Sequence, residues 1–251
     1  MIRVEGVEKR YGSFQALQRL DLHVRTGEVF GFLGPNGAGK TTTIRMLAGV
    51  LTPTTGRILI DGVDLALDPV ESKRRVGYIP DRPYLYDKLT AREFLRFIGR
   101  IYGMAPEVVA ARSDALLAEN QLLDRADELI EAYSHGVKQR LTMSAALLHE
   151  PRALIVDEPM VGLDPHGARR IKGMFRKLAD EGRTVFLSTH SLDVAQEVCD
   201  RVGILYRGQL VALGTVDELL HGGRHGASLE EVFLRITEEE QEANAQRGAE
   251  P

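Results

Sequence analysis

The octapeptide GPNGAGKT, at Gly34–Thr41, fits the pattern G-x-x-x-x-G-K-[ST], whose residue types suit phosphate binding. Its glycines let backbone N–H groups curl around a phosphate, and a helix that starts there adds the positive end of its dipole. Lys40 can reach the β- and γ-phosphates, and the Thr41 hydroxyl can ligate Mg²⁺. A glycine-rich turn is the alternative, but the apolar run VFGFLG before the loop and the helical pattern Lys40–Val50 after it favour the phosphate site. The predicted nucleotide-binding residues are consecutive: Gly34, Pro35, Asn36, Gly37, Ala38, Gly39, Lys40, Thr41 and Thr42.

Two adjacent carboxylates follow a second apolar run, in the segment ALIVDEP. Asp157 and Glu158 stand at the carboxyl end of this strand, which is the edge of an open α/β sheet where ligands bind. Asp157 is suited to hold Mg²⁺ through its water shell. Glu158 is suited to polarise or deprotonate the water that attacks a γ-phosphate. A helix cap or a turn is the alternative for both carboxylates, and the phosphate loop earlier in the chain favours catalysis.

A histidine ends the next apolar strand, in TVFLSTH. By the same argument His190 lies on the same edge, where it can hydrogen-bond the γ-phosphate and hold the water and Glu158 in line. A structural histidine is the alternative. The other six histidines show no paired metal-ligand spacing.

A second helix start capable of receiving an anion lies about a hundred residues after the first. In EAYSHGVKQRLTMSAALLHEP, a predicted helix begins at or just after Ser134 and Gly136. Such a helix start exposes backbone N–H groups and a serine hydroxyl. One chain with one phosphate loop has no evident use for a second such start.

The predicted secondary structure that positions these residues changes twice along the chain. Residues 1–25 alternate apolar and polar side chains, as half-buried antiparallel strands do. From about Pro83 to Leu148 the pattern is helical, with a Thr90–Glu93 capping-box pair and Pro106 at a first helical turn. Short apolar strands then return, separated by a helix through Ile171–Leu178 and followed by a predicted hairpin in VGILYRGQLVALGT. The fold class predicted from this pattern is α/β, a core interrupted by a helical subdomain.

Composition indicates an ordinary globular protein and argues against several partners. The net charge of −4 resides in the stretch from Thr237 onward, TEEEQEANAQRGAEP, where five acids oppose one base. The rest is near neutral, so no basic stripe predicts a nucleic-acid partner and no cationic helix predicts direct membrane binding. Cys199 is the sole cysteine, which excludes an intramolecular disulfide and suits a small buried apolar residue in a reducing cytosol. No apolar run approaches the ~18 residues that cross a bilayer.

The order GPNGAGKT, YSHGVKQR, LIVDEP, VGLD, STH resembles the nucleotide-binding subunit of ATP-binding cassette (ABC) transporters, from Ile2 to Thr237. The resemblance implies a P-loop NTPase core (RecA-like) with an N-terminal antiparallel β subdomain and an inserted α-helical subdomain. In residue numbers, the ABC ATPase domain is 1–236. It comprises the core and β subdomain at 1–82 and 150–220, the helical subdomain at 83–149, a C-terminal segment at 221–236, and then a flexible acidic tail at 237–251.

The resemblance also gives the second helix start a purpose. The family's signature loop, here Tyr133–Val137, faces the ATP held by a second subunit, so two chains would pair head to tail around two ATP and Mg²⁺. Asp164 matches the loop that crosses this interface. Tyr11 matches the aromatic residue that stacks on adenine, with a surface tyrosine at a strand end as the alternative.

The signature departs from the family's usual Leu-Ser-Gly-Gly-Gln. Ser134 and Gly136 remain, so contact with a γ-phosphate is kept, whereas His135 adds bulk and a titratable ring and Val137 lacks the amide. We expect weaker ATP-driven dimerisation than in members with the usual loop.

Asp81, in YIPDRPYLYDKLT, replaces the family's usual glutamine. An ionised carboxylate accepts hydrogen bonds without donating, so we expect Asp81 to add a ligand near the metal and to raise the dependence on Mg²⁺. A turn residue with no metal role is the alternative.

The predicted function is the ATP-hydrolysing subunit of a bacterial exporter, similar to exporter-type members including the Ecs type, with an importer as the alternative direction. Its predicted partners are a separate transmembrane permease and a second ABC ATPase subunit, with no nucleic acid. The predicted location is cytoplasmic, at the inner face of the plasma membrane. Two other functions stay open: a soluble ABC ATPase that acts on nucleic acid or ribosomes, and an ATP-gated module with slow hydrolysis. Glu158 and His190 argue against the second, because both would be dispensable there.

Overall fold

Two β-sheets organise the computed structural model, which describes residues 1–160, 163–221, 229–235 and 237–238. The strands are β1 (Ile2–Tyr11), β2 (Phe14–Val24), β3 (Val29–Leu33), β4 (Thr55–Ile60), β5 (Val63–Asp64), β6 (Val76–Ile79), β7 (Ala153–Asp157), β8 (Thr184–Thr189), β9 (Arg201–Tyr206) and β10 (Gln209–Thr215). The smaller sheet has the order β2-β1-β4-β5 and is antiparallel. The alternation in residues 1–25 is therefore confirmed as an antiparallel pair.

The larger sheet carries the site and has the order β10-β9-β3-β8-β7-β6. Its strands are parallel except for β10, which forms the predicted hairpin with β9. Strands β3, β7 and β8 are buried along their whole length. Parallel strands covered on both faces read as continuous apolar runs, which explains their sequences. The carboxyl ends of β3, β7 and β8 lie side by side, and this brings together segments that are far apart in the chain.

The helices are α1 (Lys40–Leu47), α2 (Pro69–Arg74), α3 (Ala91–Ile101), α4 (Pro106–Glu119), α5 (His135–Leu147), α6 (Pro165–Asp180), α7 (Leu192–Val198) and α8 (Val216–His221). Two predicted boundaries need correction. Helix α1 ends three residues before Val50, because Gly49 adopts a positive φ of 67° and ends the helix. Helix α6 is longer than the predicted stretch Ile171–Leu178, since Asp164 caps it and Pro165 occupies its first turn.

The predicted helix starts in the inserted region are confirmed. Thr90 and Glu93 form a reciprocal capping box at α3, and Pro106 opens α4. Helices α3, α4 and α5 pack together and contribute to a core that continues onto one face of the larger sheet. The opposite face packs against α1 and the smaller sheet, where the rings of Phe30 and Phe186 stack 5.4 Å apart.

Three sequence expectations concern the remaining parts of the chain. Cys199 is buried as predicted, and burial raises the pKa of its thiol far above the usual range. Thr237, assigned to the acidic tail, is helical and buried, and its hydroxyl bonds the carbonyls of Phe233 and Leu234. The tail beyond Glu238 lies outside the described residues, as do Val161 and Gly162 of the VGLD motif. Among the described residues, no helix is long and apolar enough to cross a membrane.

Candidate nucleotide-binding site

The phosphate loop joins β3 to α1, as predicted. Gly37 and Gly39 adopt positive φ values of 79° and 108°, a region that disfavours side chains. A Cβ on Gly39 would lie 2.7 Å from the Ala16 carbonyl oxygen, so only glycine fits. A Cβ on Gly37 would meet nothing within 4 Å, so this side of the loop is open. The loop leaves its backbone accessible at the start of a helix that has no side-chain cap, which is the arrangement that binds phosphate.

Lys40 lies within this loop and is almost fully buried. Its Nζ donates hydrogen bonds to the Gly34 carbonyl at 2.6 Å and the Pro35 carbonyl at 3.2 Å, and lies 3.8 Å from Glu158 Oε1. Burial lowers the pKa of Lys40, while the charges of Glu158 and Asp157 act in the opposite direction. The ammonium group is thus held at the centre of the loop, beside the carboxylates predicted to act with it.

A cleft of about 410 Å³ opens over the loop. Ten of the predicted site residues line it: Tyr11, Pro35, Asn36, Gly37, Gly39, Lys40, Thr41, Thr42, Asp81 and Glu158. Gly34 and Ala38 do not line it. Ala38 is buried, and a Cβ on Gly34 would lie 2.3 Å from the Leu205 carbonyl oxygen, so both face the protein interior.

Two aromatic side chains flank the mouth of the cleft. Tyr11 and Phe14 are paired across the β1–β2 turn and are 50% and 65% exposed. Lys9 Nζ lies 5.2 Å from the centre of the Tyr11 ring. Phe14 is not among the predicted site residues, although an aromatic residue three positions after Tyr11, across the Gly12-Ser13 turn, is a sequence signal for it. The pair is suited to stack on a planar base.

Asp157 has one oxygen that is satisfied and one that is not. The Ser188 hydroxyl donates a hydrogen bond to Oδ1, whereas Oδ2 is buried and has no hydrogen-bond partner among the described residues. Burial raises the pKa of Asp157; the charges of Asp81 and Glu158 act in the same direction, and the hydroxyls of Ser188 and Thr41 oppose them. A buried carboxylate oxygen beside a threonine hydroxyl is a set of hard oxygen donors, which fits Mg²⁺.

Glu158 connects the lysine to the predicted histidine. Its Oε2 lies 2.9 Å from His190 Nδ1, so the three side chains form a continuous polar chain. The backbone of Glu158 has a positive φ of 49°, and its N–H donates to the carbonyl and the hydroxyl of Ser188. A carboxylate held between a cation and an imidazole can accept a proton from water and remain oriented while it does so.

The signature residues lie in a different cleft. Ser134 precedes α5 without a side-chain cap, and Ser134 and His135 are exposed. Ser134, Gly136 and Asp164 line a cleft of about 240 Å³ between α5 and α6, and within the described part of the chain no residue lines both clefts. Val137 lies in the first turn of α5, and its side chain is buried in the core. Asp164 accepts a 2.8 Å hydrogen bond from the Gly167 N–H and so fixes the start of α6.

A glycine-rich loop between strand and helix, with strand-end carboxylates beside it, defines the chain as a P-loop nucleotide-binding protein. The model of the ABC transporter family matches residues 17–161, more than half of the chain. The chain therefore belongs to the family of ABC transporter ATP-binding subunits.

Similar proteins agree with this assignment. The linearmycin resistance ATP-binding protein LnrL of Bacillus subtilis (strain 168) is 36% identical over 219 residues, which cover 87% of this chain and 70% of LnrL. A structure of an ATP-binding subunit of an ABC transporter superposes with a TM-score of 0.89 at 35% identity, covering 94% and 99% of the two chains. The ATP-binding cassette MJ0796, in a dimeric post-hydrolysis state bound to ADP and Pi, superposes with a TM-score of 0.78 at 26% identity. The superposition covers 86% of this chain and 98% of the MJ0796 chain. The protein is an ATP-hydrolysing subunit that powers a membrane transporter.

Proposed function

We propose that this chain drives an exporter by closing head to tail with a second ABC ATPase subunit, identical or closely related, around two ATP molecules. The observation that carries the proposal is the separation of the two clefts. Ser134, Gly136 and Asp164 lie apart from Lys40 and Glu158 within one chain. A second subunit is therefore needed to bring a signature helix start onto the exposed side of a γ-phosphate.

The phosphate and metal contacts follow from the chemistry of the nucleotide cleft. Lys40 and the loop N–H groups hold the β- and γ-phosphates. Thr41 and Asp157 hold Mg²⁺, with Asp81 at the edge of the cleft, and bound Mg²⁺ would supply neutralisation of the phosphate charge. Tyr11, joined by Phe14, stacks on the adenine. The free Oδ2 of Asp157 supports the metal role.

The proton transfer is assigned to Glu158. This carboxylate accepts the proton of the attacking water, and His190 keeps it oriented through the 2.9 Å contact. Closure by Ser134 and Gly136 of the second subunit excludes bulk water from the reaction. His135, which is exposed, weakens this closure.

An exposed apolar patch supports docking of a separate transmembrane permease. Tyr84, Tyr86, Phe97 and Ile101 are all exposed, and the rings of Tyr86 and Phe97 meet edge to face at 5.4 Å. Such patches mark interaction sites, and this one belongs to α3 and to the loop that begins at Asp81 beside the nucleotide. Binding there would hold the subunit at the inner face of the plasma membrane and connect nucleotide occupancy to the permease.

The direction of transport is proposed as export because the name of LnrL is that of a resistance protein. A second support is the similarity of the segment PDRPYLYDKLT to exporter-type members. The transported substrate would be recognised by the permease.

Light scattering on the Glu158→Gln chain tests the dimer. We expect a monomer with ADP and a dimer with ATP and Mg²⁺, because removal of the general base preserves the bound ATP. A Ser134→Arg change in the same background should keep ATP binding and abolish the dimer, because the added bulk and charge obstruct closure. A Glu158→Gln chain that binds ATP and stays monomeric would contradict self-pairing and point to a different ABC subunit as the partner.

A further inference from the structure

Ser188 lies at the end of β8, directly beside the carboxylates, and the nucleotide cleft does not include it. It is fully buried and faces Asp157 in the parallel register of β7 and β8. Its hydroxyl donates a hydrogen bond to Asp157 Oδ1. Because this bond engages Oδ1, Oδ2 is the Asp157 oxygen that stays available to a metal ion.

A second hydroxyl at the site belongs to Thr41, which lines the nucleotide cleft. That hydroxyl is itself assigned to Mg²⁺, so it is committed to the metal when the site is loaded. Ser188 is then the side chain that remains to orient the Asp157 carboxylate from behind.

The same serine holds the backbone of the next residue. The Glu158 N–H lies 3.1 Å from the Ser188 carbonyl oxygen and 3.3 Å from the Ser188 hydroxyl oxygen. Glu158 has a positive φ of 49°, a conformation that costs a residue with a side chain energy and that persists when its surroundings enforce it. Two hydrogen bonds to one buried serine provide that enforcement.

We infer that Ser188 is a positioning residue for ATP hydrolysis, which orients the metal-binding carboxylate and the general base through one side chain. Its hydroxyl fixes Asp157 so that Oδ2 faces the metal, and together with its carbonyl it fixes the turn that directs Glu158 toward the water. The inference rests on the metal role proposed for Asp157. Groups that orient ligands in this way affect metal affinity or activity by about 10–100-fold when removed.

The test compares Ser188→Ala with Ser188→Thr, which keeps the hydroxyl. The matched control is Thr184→Val, because Thr184 is an equally buried residue of the same strand whose hydroxyl donates to the Arg25 carbonyl at 2.9 Å, away from the site. Mn²⁺ affinity is measured by electron paramagnetic resonance with a non-hydrolysable ATP analogue. The kcat and KM for ATP are measured in Mg²⁺, and binding of a fluorescent ATP analogue is measured without metal.

For Ser188→Ala we expect a Mn²⁺ affinity about 10-fold weaker and a kcat about 10- to 100-fold lower, with KM and metal-free nucleotide binding near wild type. Ser188→Thr should recover most of both losses, and Thr184→Val should show neither. Equal losses in Ser188→Ala and Thr184→Val, or unchanged Mn²⁺ affinity in Ser188→Ala, would overturn the inference.

If Ser188→Ala does not fold, Ser188→Cys replaces it, since a thiol fills the same space but is a weak donor. A cysteine variant with wild-type Mn²⁺ affinity and kcat would then overturn the inference. A wild-type chain that binds the ATP analogue but no Mn²⁺ would refute the metal role of Asp157, and the inference with it. If the wild type binds Mn²⁺ and Ser188→Ala binds it with equal affinity, the metal role of Asp157 stands and the inference alone is refuted.

Discussion

At the scale of single residues, the site is a connected series of polar and charged side chains, and their order explains the proposed division of roles. Lys40 is inside the phosphate loop, Glu158 bridges it to His190, and Asp157 lies deeper against Ser188. Depth separates the two carboxylates. Asp157 is 1% exposed and has a free oxygen for a cation, while Glu158 is only partly buried and lines the cleft that water reaches.

Asp81 provides a prediction at this scale. It lines the cleft, and its charge contributes to the raised pKa of Asp157. By Coulomb's law, a carboxylate and a dication attract each other by roughly 1 kcal/mol in a water-like medium even at a separation of about 8 Å, and more at shorter separations. We expect Asp81→Gln to raise the Mg²⁺ concentration for half-maximal ATPase activity about 5-fold. A magnesium titration measures this.

The matched control for Asp81→Gln is Asp124→Asn, which removes an exposed carboxylate that does not line the cleft and should leave the titration unchanged. An identical half-maximal concentration in wild type and Asp81→Gln would remove Asp81 from the metal site and favour its role as a turn residue.

At the scale of elements, α3 connects the nucleotide cleft to the outer surface. It follows the loop that starts at Asp81, its inner side buries Phe94 and Leu95, and its outer side exposes Phe97 and Ile101. The start of α3 therefore determines where the exposed patch lies relative to the nucleotide.

The capping box of α3 gives a prediction about stability. The Glu93 N–H lies 3.1 Å from the Thr90 hydroxyl, and the Thr90 N–H lies 2.9 Å from the Glu93 carboxylate. We expect Thr90→Ala to lower the free energy of unfolding by about 1 kcal/mol and Tm by about 2–4 °C, as measured by calorimetry. Thr52→Ala is the control, because Thr52 is exposed and its hydroxyl has no hydrogen bond within the described residues. Equal effects of the two changes would contradict a capping contribution.

At the scale of the whole molecule, a half-buried histidine connects the inserted helices to the larger sheet. The His149 ring stacks on Tyr102 with centroids 3.7 Å apart, and its Nε2 lies 3.0 Å from the Val76 carbonyl oxygen in β6. Arg112 adds hydrogen bonds to the carbonyls at the end of α5. Relative motion of helices and sheet would have to disturb these contacts.

The contacts of His149 predict acid sensitivity. Burial lowers the pKa of His149 from 6.5 to about 4, so the unfolded chain binds the proton first and stability falls as pH decreases from 6.5 to 4. The full loss is ~3 kcal/mol. We expect denaturant unfolding of His149→Gln to lose less stability over this range than the wild type. Equal losses would show that other groups govern acid unfolding.

The signature histidine gives a prediction at the level of the dimer. His135 is exposed at the start of α5, where the family usually has glycine. In the Glu158→Gln background, we expect His135→Gly to tighten ATP-dependent dimerisation about 5-fold, roughly 1 kcal/mol, because a bulky ring no longer separates the surfaces. Analytical ultracentrifugation measures the dimer Kd. The control His23→Ala changes an exposed histidine of β2, and an unaltered Kd in His135→Gly would contradict the hypothesis.

The sequence by itself determined the features that depend on neighbouring residues. The phosphate loop, the Thr90 capping box, the β9–β10 hairpin and the strand-end carboxylates are all encoded within a few residues, because backbone conformation and capping are local. For the same reason the family could be recognised from the order and spacing of its motifs.

Only the tertiary structure decided which distant residues meet. Ser188 contacts Asp157 because β8 pairs with β7, and the stacking of Tyr102 on His149 depends on the packing of α3 and α5. In a regular strand, neighbouring side chains point to opposite faces of the sheet. The positive φ of Glu158 interrupts this alternation, and its carboxylate lies 3.8 Å from Lys40 Nζ. These contacts depend on strand order and helix packing, which no local pattern specifies.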